Sequence, residues 1–335
     1  MAKRSSGMMS GEDRLIARHF KPLAWHPGAF ALDDDAAILS PPPGCDVVLK
    51  TDAIVGGIHF FPKDPPDMVA RKALRVNLSD LAAKGARPAG FLLSLALPEN
   101  IDDKWLAEFA RGLAADAKRF NCPLMGGDTD RTRGPVTIAI AAFGLLPRGE
   151  MVRRAGARPG HRVVVTGTIG DAALGLKLRQ SPKNAKRWKL STAMRRHLEQ
   201  RYLVPEPRNA IAAALRAHAS AAMDVSDGLA GDLAKLCRAS KVAAEIEAAR
   251  VPLSAAAHKV LSVDRKLIET VLTGGDDYEI VATVAPSKLR ALLAAARKAG
   301  VALTDIGAIN RGSGAAFRER DGKVLRFKRA SFSHF

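Results

Sequence analysis

The 335-residue sequence predicts an α+β protein of two domains. The length suits two domains of ordinary size. The first half alternates β-branched stretches with amphipathic ones, and the second half repeats this alternation. A loop-rich, basic stretch, "PRGEMVRRAGARPG" (147–160), separates the halves. We therefore expect one domain over residues 1–150 and a second over 151–335.

In the first half, "CDVVLKTDAIV" (45–55) is rich in β-branched residues and predicts a strand that ends near Thr51 and Asp52. "PPDMVARKALRVNLSDLAAKGARP" begins with Pro-Pro-Asp, carries apolar residues at helical spacing and predicts a helix that stops at Gly85. The remaining elements expected in this half are a strand at 90–97, a helix at about 102–119 and a strand at 135–146.

In the second half, "HRVVVTGTIGDAALGLKL" predicts a strand, a glycine turn and a helix. The segment around 180–200 is basic and predicts a helical insertion. "AAMDVSDGLAGDLAKLCRAS" predicts a strand that runs into a helix, with Ser226 as the N-cap. "TGGDDYEIVATV" predicts a glycine turn entering a strand, and "PSKLRALLAAARKAG" predicts an amphipathic helix that ends at Gly300.

Composition narrows the class of protein. No apolar run approaches the roughly 18 residues that a membrane span needs, and "MAKRSSGMMSGEDR" lacks the apolar core of a secretory signal. Three isolated cysteines, with no C-x-x-C pair, suit a reducing cytoplasm. The formal charge is +18, but the basic residues are scattered and not interleaved with aromatic ones. We therefore expect neither a membrane partner nor dedicated nucleic-acid binding.

Acidic residues concentrate at the ends of predicted elements although the chain is basic overall. They are the triplet Asp33–Asp35 and, further on, Asp52, Asp80, Asp128, Asp224, Asp227, Asp276 and Asp277. Adjacent carboxylates repel each other unless a cation neutralises them. Mg²⁺ prefers carboxylate oxygens and substrate phosphates, so the pattern predicts metal-assisted chemistry on a nucleotide.

Other catalytic motifs are missing from the sequence. It contains no P-loop, no G-x-G-x-x-G after a strand, no H-E-x-x-H and no nucleophile elbow. The glycine pairs at 126–127 and 274–275 each precede an Asp, which suits either a turn or close approach to a phosphate. His59, in "GGIHF", is the one histidine in a plausible loop context.

The segments "TDAIVGGIHF", "KALRVNLSDLAAKGARP", "GGDTDRTRG", "VTGTIGDAALG", "PEPR", "MDVSDGL" and "GGDDYE" occur in this order. In combination they resemble the thiamine-monophosphate kinase family of the aminoimidazole-ribonucleotide-synthetase-like superfamily, from residue 11 to 335. The resemblance implies a homodimer whose N-terminal sheets complete a barrel, and a C-terminal α/β sandwich. It implies Mg²⁺ and ATP, with ATP as the co-substrate that phosphorylates thiamine monophosphate to thiamine diphosphate.

The resemblance also implies roles for individual residues. Those matching the family's metal ligands are Asp35, Thr51, Asp52, Asp80, Asp128, Asp224 and Asp227. Those matching its ATP contacts are Gly127, Asp128, Arg154 and Ser226. Those matching its substrate contacts are His59, Asp276 and Phe332.

The sequence departs from the family pattern at four places. Asp33 stands where Gly is usual, and Lys50 stands where Ser is common. Asp276 replaces the usual Glu, which is one methylene longer, and "GGDTDRTRG" is two residues longer than the familiar "GGDTTRG".

The acceptor in such a reaction is a phosphate oxygen that is already ionised near neutral pH, so we assign neither a general base nor a covalent nucleophile. Two alternatives stay open. One is a sibling ATP-dependent synthetase that acts on another small oxyanion or amide. The other is a non-catalytic protein that binds nucleic acid through its basic surface, with steep salt dependence.

Overall fold

The computed structural model describes residues 11–328 and 331. Within these residues the chain forms two compact units. The first unit consists of residues 11–43, 49–77 and 88–144, and the second consists of residues 44–48, 78–87, 145–328 and 331. The domain boundary expected near residue 150 stays a prediction.

Strands and helices alternate along most of the chain. The strands are β1 Cys45–Val55, β2 Arg87–Leu97, β3 Leu124–Arg131, β4 Thr137–Pro147, β5 Arg162–Thr166, β6 Ala219–Val225, β7 Ala243–Glu247, β8 Glu279–Val284, β9 Leu303–Asn310 and β10 Gly314–Arg318. The α-helices are α1 Gly11–Leu15, α2 Pro66–Ala83, α3 Asp103–Arg119, α4 Asp171–Gln180, α5 Asn184–Arg187, α6 Thr192–Leu203, α7 Ala212–His218, α8 Leu229–Ser240, α9 Ala255–Val263, α10 Ile268–Thr273 and α11 Pro286–Lys298.

The first sheet has the strand order β1-β4-β2-β3. β2 and β3 are parallel, and α3 connects them, because parallel neighbours need a crossover. The helix expected near 102–119 is confirmed, and its N-cap is Asp102, whose carboxylate accepts the N–H of Trp105 at 2.8 Å. Phe109 and Leu113 on α3 and Phe91 on β2 are fully buried.

β3 was not predicted as a strand, because "LMGGDTDR" is polar and rich in glycine. It forms by parallel pairing with β2, which places Gly127 opposite Leu93 and Asp128 opposite Ser94. A Cβ at Gly127 would lie only 1.9 Å from the carbonyl oxygen of Leu93. The glycine at 127 therefore permits close approach of two strands, and residues 126–127 are not a turn.

β1 alternates between more and less exposed residues along its length. The predicted end of this strand near Asp52 is wrong, since pairing continues to Val55. Leu49 is 72% exposed, and Leu92 on β2 is 37% exposed. Two strands of the sheet therefore carry exposed leucines.

The second sheet has the order β10-β7-β9-β5-β8-β6. Its neighbours are antiparallel except for the β10–β7 pair. Alternate residues of β5 enter different cores, with Val163 and Val165 in one and Val164 in the other. The strands expected at β5, β6 and β8 are confirmed, whereas β7, β9 and β10 were not anticipated.

The segment around 180–200 is helical, as predicted, and forms α5 and α6. Ser191 caps α6 by accepting the N–H of Met194 at 3.2 Å, and Trp188 between the helices is buried. Within the described residues, no helix combines the length and apolar character needed to cross a membrane.

Candidate active site

The motif "MDVSDGL" forms the end of β6 and the turn into α8. Asp224 is buried at the end of the strand, while Ser226 and Asp227 are half-buried. The prediction that Ser226 caps α8 is wrong, because the N-cap position is Gly228, which has no side chain to accept a bond. Gly228 has φ of 105°, and a Cβ there would lie 2.5 Å from the backbone of Thr273. A tight glycine turn therefore separates Ser226 from the helix.

The motif "GGDDYE" docks onto this turn through main-chain hydrogen bonds. The N–H of Asp276 donates to the carbonyl of Ser226 at 2.8 Å, and the N–H of Tyr278 donates to the carbonyl of Val225 at 2.8 Å. Two motifs that lie about fifty residues apart in the sequence thus meet in the second unit. Ser226 and Asp276, predicted to contact ATP and substrate respectively, are joined directly.

The loop over 274–278 has an unusual backbone. Asp276 and Tyr278 have φ of 74° and 50°, in the left-handed region. Such conformations cost about 1–3 kcal/mol for each non-glycine residue, and they persist only when surrounding contacts fix them. A Cβ at Gly275 would lie 2.4 Å from the carbonyl oxygen of Ser226. The close approach of the two motifs therefore requires glycine at position 275.

Asp227 is held by neighbours that sequence reasoning did not select. Its N–H donates to the carboxylate of the buried Asp232 at 2.8 Å, and its own carboxylate pairs with Lys235. Lys235 also donates to Asp232 at 2.8 Å. Partial burial opposes the charge of Lys235, but the bonds to both carboxylates raise its pKa. The ammonium group of Lys235 thus bridges two acids beside a predicted metal ligand.

Arg154 lies in the exposed loop before β5. The hydroxyl of Ser240 donates to the carbonyl of Arg154 at 2.9 Å and accepts the N–H groups of Gly156 and Ala157 at 3.2 Å each. The N–H of Ala222 on β6 donates to the carbonyl of Arg153 at 3.0 Å. These bonds fix the backbone of Arg154 beside the strand that carries Asp224.

Asp80 lies inside α2, three residues before its last residue, and not at an element end as expected. It is half-buried, whereas Val69, Ala73 and Val76 on the expected same face of the helix are buried. The prediction that Asp80 lies on the apolar face of a helix is therefore confirmed.

The first unit carries the remaining predicted metal ligands on separate elements. Asp52 lies on β1 and Asp128 on β3, which are the two edge strands of the four-stranded sheet. Thr51, Asp128 and Asp35 are exposed. β4 and β2 lie between the two edge strands, so the sheet of one chain does not bring Asp52 and Asp128 together.

Two departures from the family pattern form ion pairs in the first unit. Lys50 lies 3.1 Å from Asp52, and the additional acid Asp33 pairs with Lys21. Lys50 therefore neutralises the charge of Asp52, and Lys21 neutralises the charge of the additional acid Asp33.

His59 lies in a tight turn after β1. Its Nδ1 accepts the N–H of Val55 at 3.0 Å, and its carbonyl accepts the ammonium group of the buried Lys72 at 2.9 Å. Because Nδ1 is an acceptor, the neutral ring carries its proton on Nε2. The turn thus fixes both the position and the tautomer of His59.

The predicted metal ligands are all oxygen donors, which is the donor set that Mg²⁺ prefers. Two of them, Asp52 and Asp227, are paired with lysine ammonium groups, which compensate their charge in the described structure. Among residues 11–328 and 331, no group of three or more His, Cys, Asp or Glu side chains is assembled to hold a metal ion. The residues fit magnesium chemically, but the described structure contains no prearranged cluster.

Sequence reasoning missed a buried polar network beneath the "GGDDYE" loop. Its carboxylates are Asp171, at the start of α4, with Asp277 and Glu279. Complete burial raises the pKa of Asp277 well above its ordinary value, although the N–H groups of Gly170 and Ala172 favour the charged form. No local sequence pattern distinguishes Asp277 or Glu279 from the exposed acids, because their partners come from distant elements. Phe332 lies outside the described residues.

The fold and site define the class of protein. The N-terminal domain model of AIR synthase related proteins matches residues 33–146, and the C-terminal domain model matches residues 158–318. This is a two-domain AIR synthase related protein with mixed α/β content.

Similar proteins narrow the class further. The thiamine-monophosphate kinase of Caulobacter vibrioides is 42% identical over 91% of this chain and 86% of its own length. The crystal structure of thiamine-monophosphate kinase from Stenotrophomonas maltophilia has a TM-score of 0.79 and 39% identity, over 88% of this chain and 91% of that one. The structure of AaThiL complexed with AMPPCP and TMP has a TM-score of 0.77 and 30% identity, over 90% of this chain and 91% of that one. The chain belongs to the thiamine-monophosphate kinase family.

Proposed function

We propose that this protein transfers the γ-phosphoryl group of ATP to thiamine monophosphate, with Mg²⁺, and so forms thiamine diphosphate. The observation that carries the proposal is the direct joining of two motifs, in which the N–H of Asp276 donates to the carbonyl of Ser226. A relative with 30% identity binds AMPPCP and TMP together, which supports a site for both a nucleotide and this acceptor.

The reaction needs little from acid–base groups. A terminal oxygen of the acceptor phosphate forms a bond to the γ-phosphorus, the bond from that phosphorus to the bridging oxygen breaks, and ADP leaves with the electron pair. The second pKa of a phosphate monoester is about 6, so the attacking oxygen is ionised at neutral pH. Catalysis then consists of positioning and charge neutralisation, with no nucleophilic residue.

The residues proposed to hold magnesium are those assigned from the sequence: Asp35, Thr51, Asp52, Asp80, Asp128, Asp224 and Asp227. Bound Mg²⁺ would neutralise the negative charge that develops on the phosphate oxygens.

The ATP contacts are proposed to be Gly127, Asp128, Arg154 and Ser226. Arg154 would pair with phosphate oxygens through its planar guanidinium group, and the bonds from Ser240 hold its backbone in place. The acceptor contacts are proposed to be His59, Asp276 and Phe332. The Nε2–H of His59 suits a phosphate oxygen, and the carboxylate of Asp276 suits the cationic thiazolium group.

We also propose a homodimer that forms through the open face of the first sheet. Leu49 and Leu92 are exposed on two strands of this sheet, and exposed apolar patches commonly mark interfaces. A second copy of the chain would cover these leucines. The cytoplasmic location expected from the cysteines stays a prediction.

The experiment is a direct assay of the full-length protein with ATP, MgCl₂ and thiamine monophosphate, with thiamine diphosphate and ADP quantified by chromatography. We expect the two products in equal amounts and no thiamine diphosphate without Mg²⁺. ATP consumption that is independent of thiamine monophosphate would favour a sibling synthetase. Absence of thiamine diphosphate, with a folded protein and saturating substrates, would overturn the proposal.

A further inference from the structure

The loop proposed to contact the acceptor is supported by a half-buried arginine on α6. Arg201 donates through the same nitrogen to the carbonyl of Asp277 at 2.9 Å and to the carboxylate of Glu279 at 2.9 Å. Only 12% of its side chain is exposed. Arg201 therefore bonds to the backbone of the loop and to the first residue of the strand that follows it.

The partners of Arg201 are themselves fixed. Glu279 is fully buried and also accepts the hydroxyl of Thr166 at 2.6 Å and the Nε of Arg208 at 2.7 Å. The carboxyl of Asp277 accepts the N–H of Gly170 at 2.6 Å, at the start of α4. Each residue from Asp276 to Glu279 thus has at least one hydrogen bond to another element of the second unit.

α6 is itself anchored at a second point, one turn before Arg201. Nε2 of His197 lies 2.9 Å from the carboxylate of Asp171, which is fully buried and also accepts hydroxyl bonds from Thr168 and Ser254. His197 and Arg201 are four residues apart and so lie on the same face of the helix. The basic insertion therefore presents one face to the loop network, while Arg195 and Arg196 are exposed.

The backbone of the loop needs such support. Asp276 and Tyr278 are held in the left-handed region, which a non-glycine residue leaves when its contacts are lost. Their N–H groups bond to Ser226 and Val225 only while the loop keeps this conformation. Arg201 bonds to Asp277, which lies between them.

We propose that Arg201 is a positioning residue for the acceptor site, which holds loop 274–278 in the conformation that positions Asp276. The proposal rests on the proposed function for the role of Asp276. It assigns to the helical insertion a function that neither its basic surface nor its sequence indicates. Arg201 acts through the loop and does not contact the substrate.

The kinetic test compares Arg201→Met with Arg201→Lys and with the control Arg196→Met, which changes an exposed arginine on the same helix. Arg201→Met should raise the KM for thiamine monophosphate by about tenfold or more, because small misplacements of binding groups are costly. The KM for ATP should change less than about twofold, Arg201→Lys should recover part of the loss, and Arg196→Met should behave as the original protein.

A double-variant cycle tests whether the effect passes through Asp276. In an Asp276→Ala background, Arg201→Met should raise the same KM by less than about twofold, since residues that act as a unit are not additive. The proposal would be overturned if the effects of Arg201→Met and Asp276→Ala on the KM for thiamine monophosphate multiplied in the double variant. It would also be overturned if Arg201→Met raised the KM for ATP as much as the KM for thiamine monophosphate. An Asp276→Ala variant with unchanged KM would instead contradict the role of Asp276 within the proposed function.

Hydrogen exchange provides a readout that does not depend on activity. In the full-length protein, Arg201→Met should accelerate exchange of the Asp276 and Tyr278 amides by about tenfold or more, while amides in the centre of α8 keep their protection. Arg196→Met should change neither set. Unchanged exchange at Asp276 and Tyr278 would overturn the proposal even if the protein does not phosphorylate thiamine monophosphate.

Discussion

The two halves of the proposed site are organised differently. In the second unit, the turn at 225–228 and the loop at 274–278 are joined by main-chain bonds and supported by buried carboxylates. In the first unit, Asp52 and Asp128 lie on opposite edge strands, and Asp128 is exposed. One chain therefore fixes the proposed acceptor loop through its own hydrogen bonds, whereas the sheet of one chain keeps the proposed metal ligands Asp52 and Asp128 apart.

The largest effect is expected for the acids of the first unit. Asp52→Asn preserves the shape of the side chain and removes its charge, so kcat should fall by about a hundredfold or more at saturating Mg²⁺. Asp80 lies within residues 78–87 of the second unit, and Asp80→Asn should have a similar effect. The control is Asp130→Asn, since Asp130 is an exposed acid on β3 of the same sheet and has no assigned role. Near-normal turnover of Asp52→Asn in steady-state kinetics would contradict the proposal that Asp52 holds magnesium.

The open sheet face of the first unit gives the next prediction. Leu49→Asp places a charge on the proposed dimer interface, and we expect a monomer at micromolar concentration in size-exclusion chromatography with light scattering. The control is Val263→Asp on α9, which is 40% exposed and lies outside the first sheet. A monomeric original protein, or a dimeric Leu49→Asp variant, would contradict the interface.

The network of the second unit should be visible in the pH dependence of stability. Burial alone would raise the pKa of Asp171, but the hydrogen bonds from His197, Ser254 and Thr168 outweigh it and lower the pKa. The folded-state pKa thus lies below the ordinary value of 3.8, so the charged form stabilises the fold above that pH and this contribution is lost as the pH falls below it.

Asp171→Asn should therefore lower the free energy of unfolding by about 1–3 kcal/mol at pH 7. The difference from the original protein should narrow as the pH falls below about 4. Urea denaturation across this pH range measures both quantities. Asp264→Asn removes an exposed ion pair with Arg187 and should cost less than about 1 kcal/mol. If Asp171→Asn lowered the free energy of unfolding by the same amount at every pH, the charge of Asp171 would not contribute to stability.

Arg154 lies in an exposed loop of the second unit and so combines a fixed backbone with a solvated side chain. Arg154→Lys keeps the charge but loses the planar fork, and we expect the KM for ATP to rise by about tenfold. Arg158→Met, in the same loop, is the control for general loss of positive charge. If Arg154→Met left the affinity for ATP and the turnover rate unchanged, Arg154 would belong only to the basic surface and not to the ATP site.

An effect of similar size, confined to the acceptor, is expected for Phe332. An aromatic face that covers the thiazolium or pyrimidine ring is worth roughly 0.5–2 kcal/mol. Phe332→Ala should therefore raise the KM for thiamine monophosphate by about threefold to thirtyfold and leave that for ATP unchanged. Phe327 packs edge-on against Phe317, with 5.7 Å between the ring centroids. Phe327→Ala should therefore lower the Tm instead. A lowered Tm with both KM values raised in Phe332→Ala would indicate a structural role.

The sequence predicted the elements whose pattern is local. α3 and β5 have strong periodicity or β-branched composition, and both were found where expected. β3 was missed because its strand conformation depends on pairing with β2 and not on its own composition. Ser226 was assigned as an N-cap because a Ser before an apolar run usually has that role, but the tight turn at Gly228 intervenes.

The site was predictable in its parts but not in its assembly. The motifs that contain Ser226 and Asp276 could be selected from the sequence, since each combines acids with glycine. Their joining, and the support from Arg201 and Glu279, involves residues separated by up to 113 positions in the sequence. Sequence periodicity contains no information about such contacts.

The central claim is direct transfer from ATP to thiamine monophosphate, and a single-turnover experiment with [γ-³²P]ATP tests it. Excess full-length protein is mixed with labelled ATP, Mg²⁺ and thiamine monophosphate, and the label is followed over time. We expect the label to pass from ATP to thiamine diphosphate at the rate of ADP formation, with no labelled protein at any time. Label that accumulates on the protein, or that appears in inorganic phosphate without thiamine diphosphate, would contradict this account.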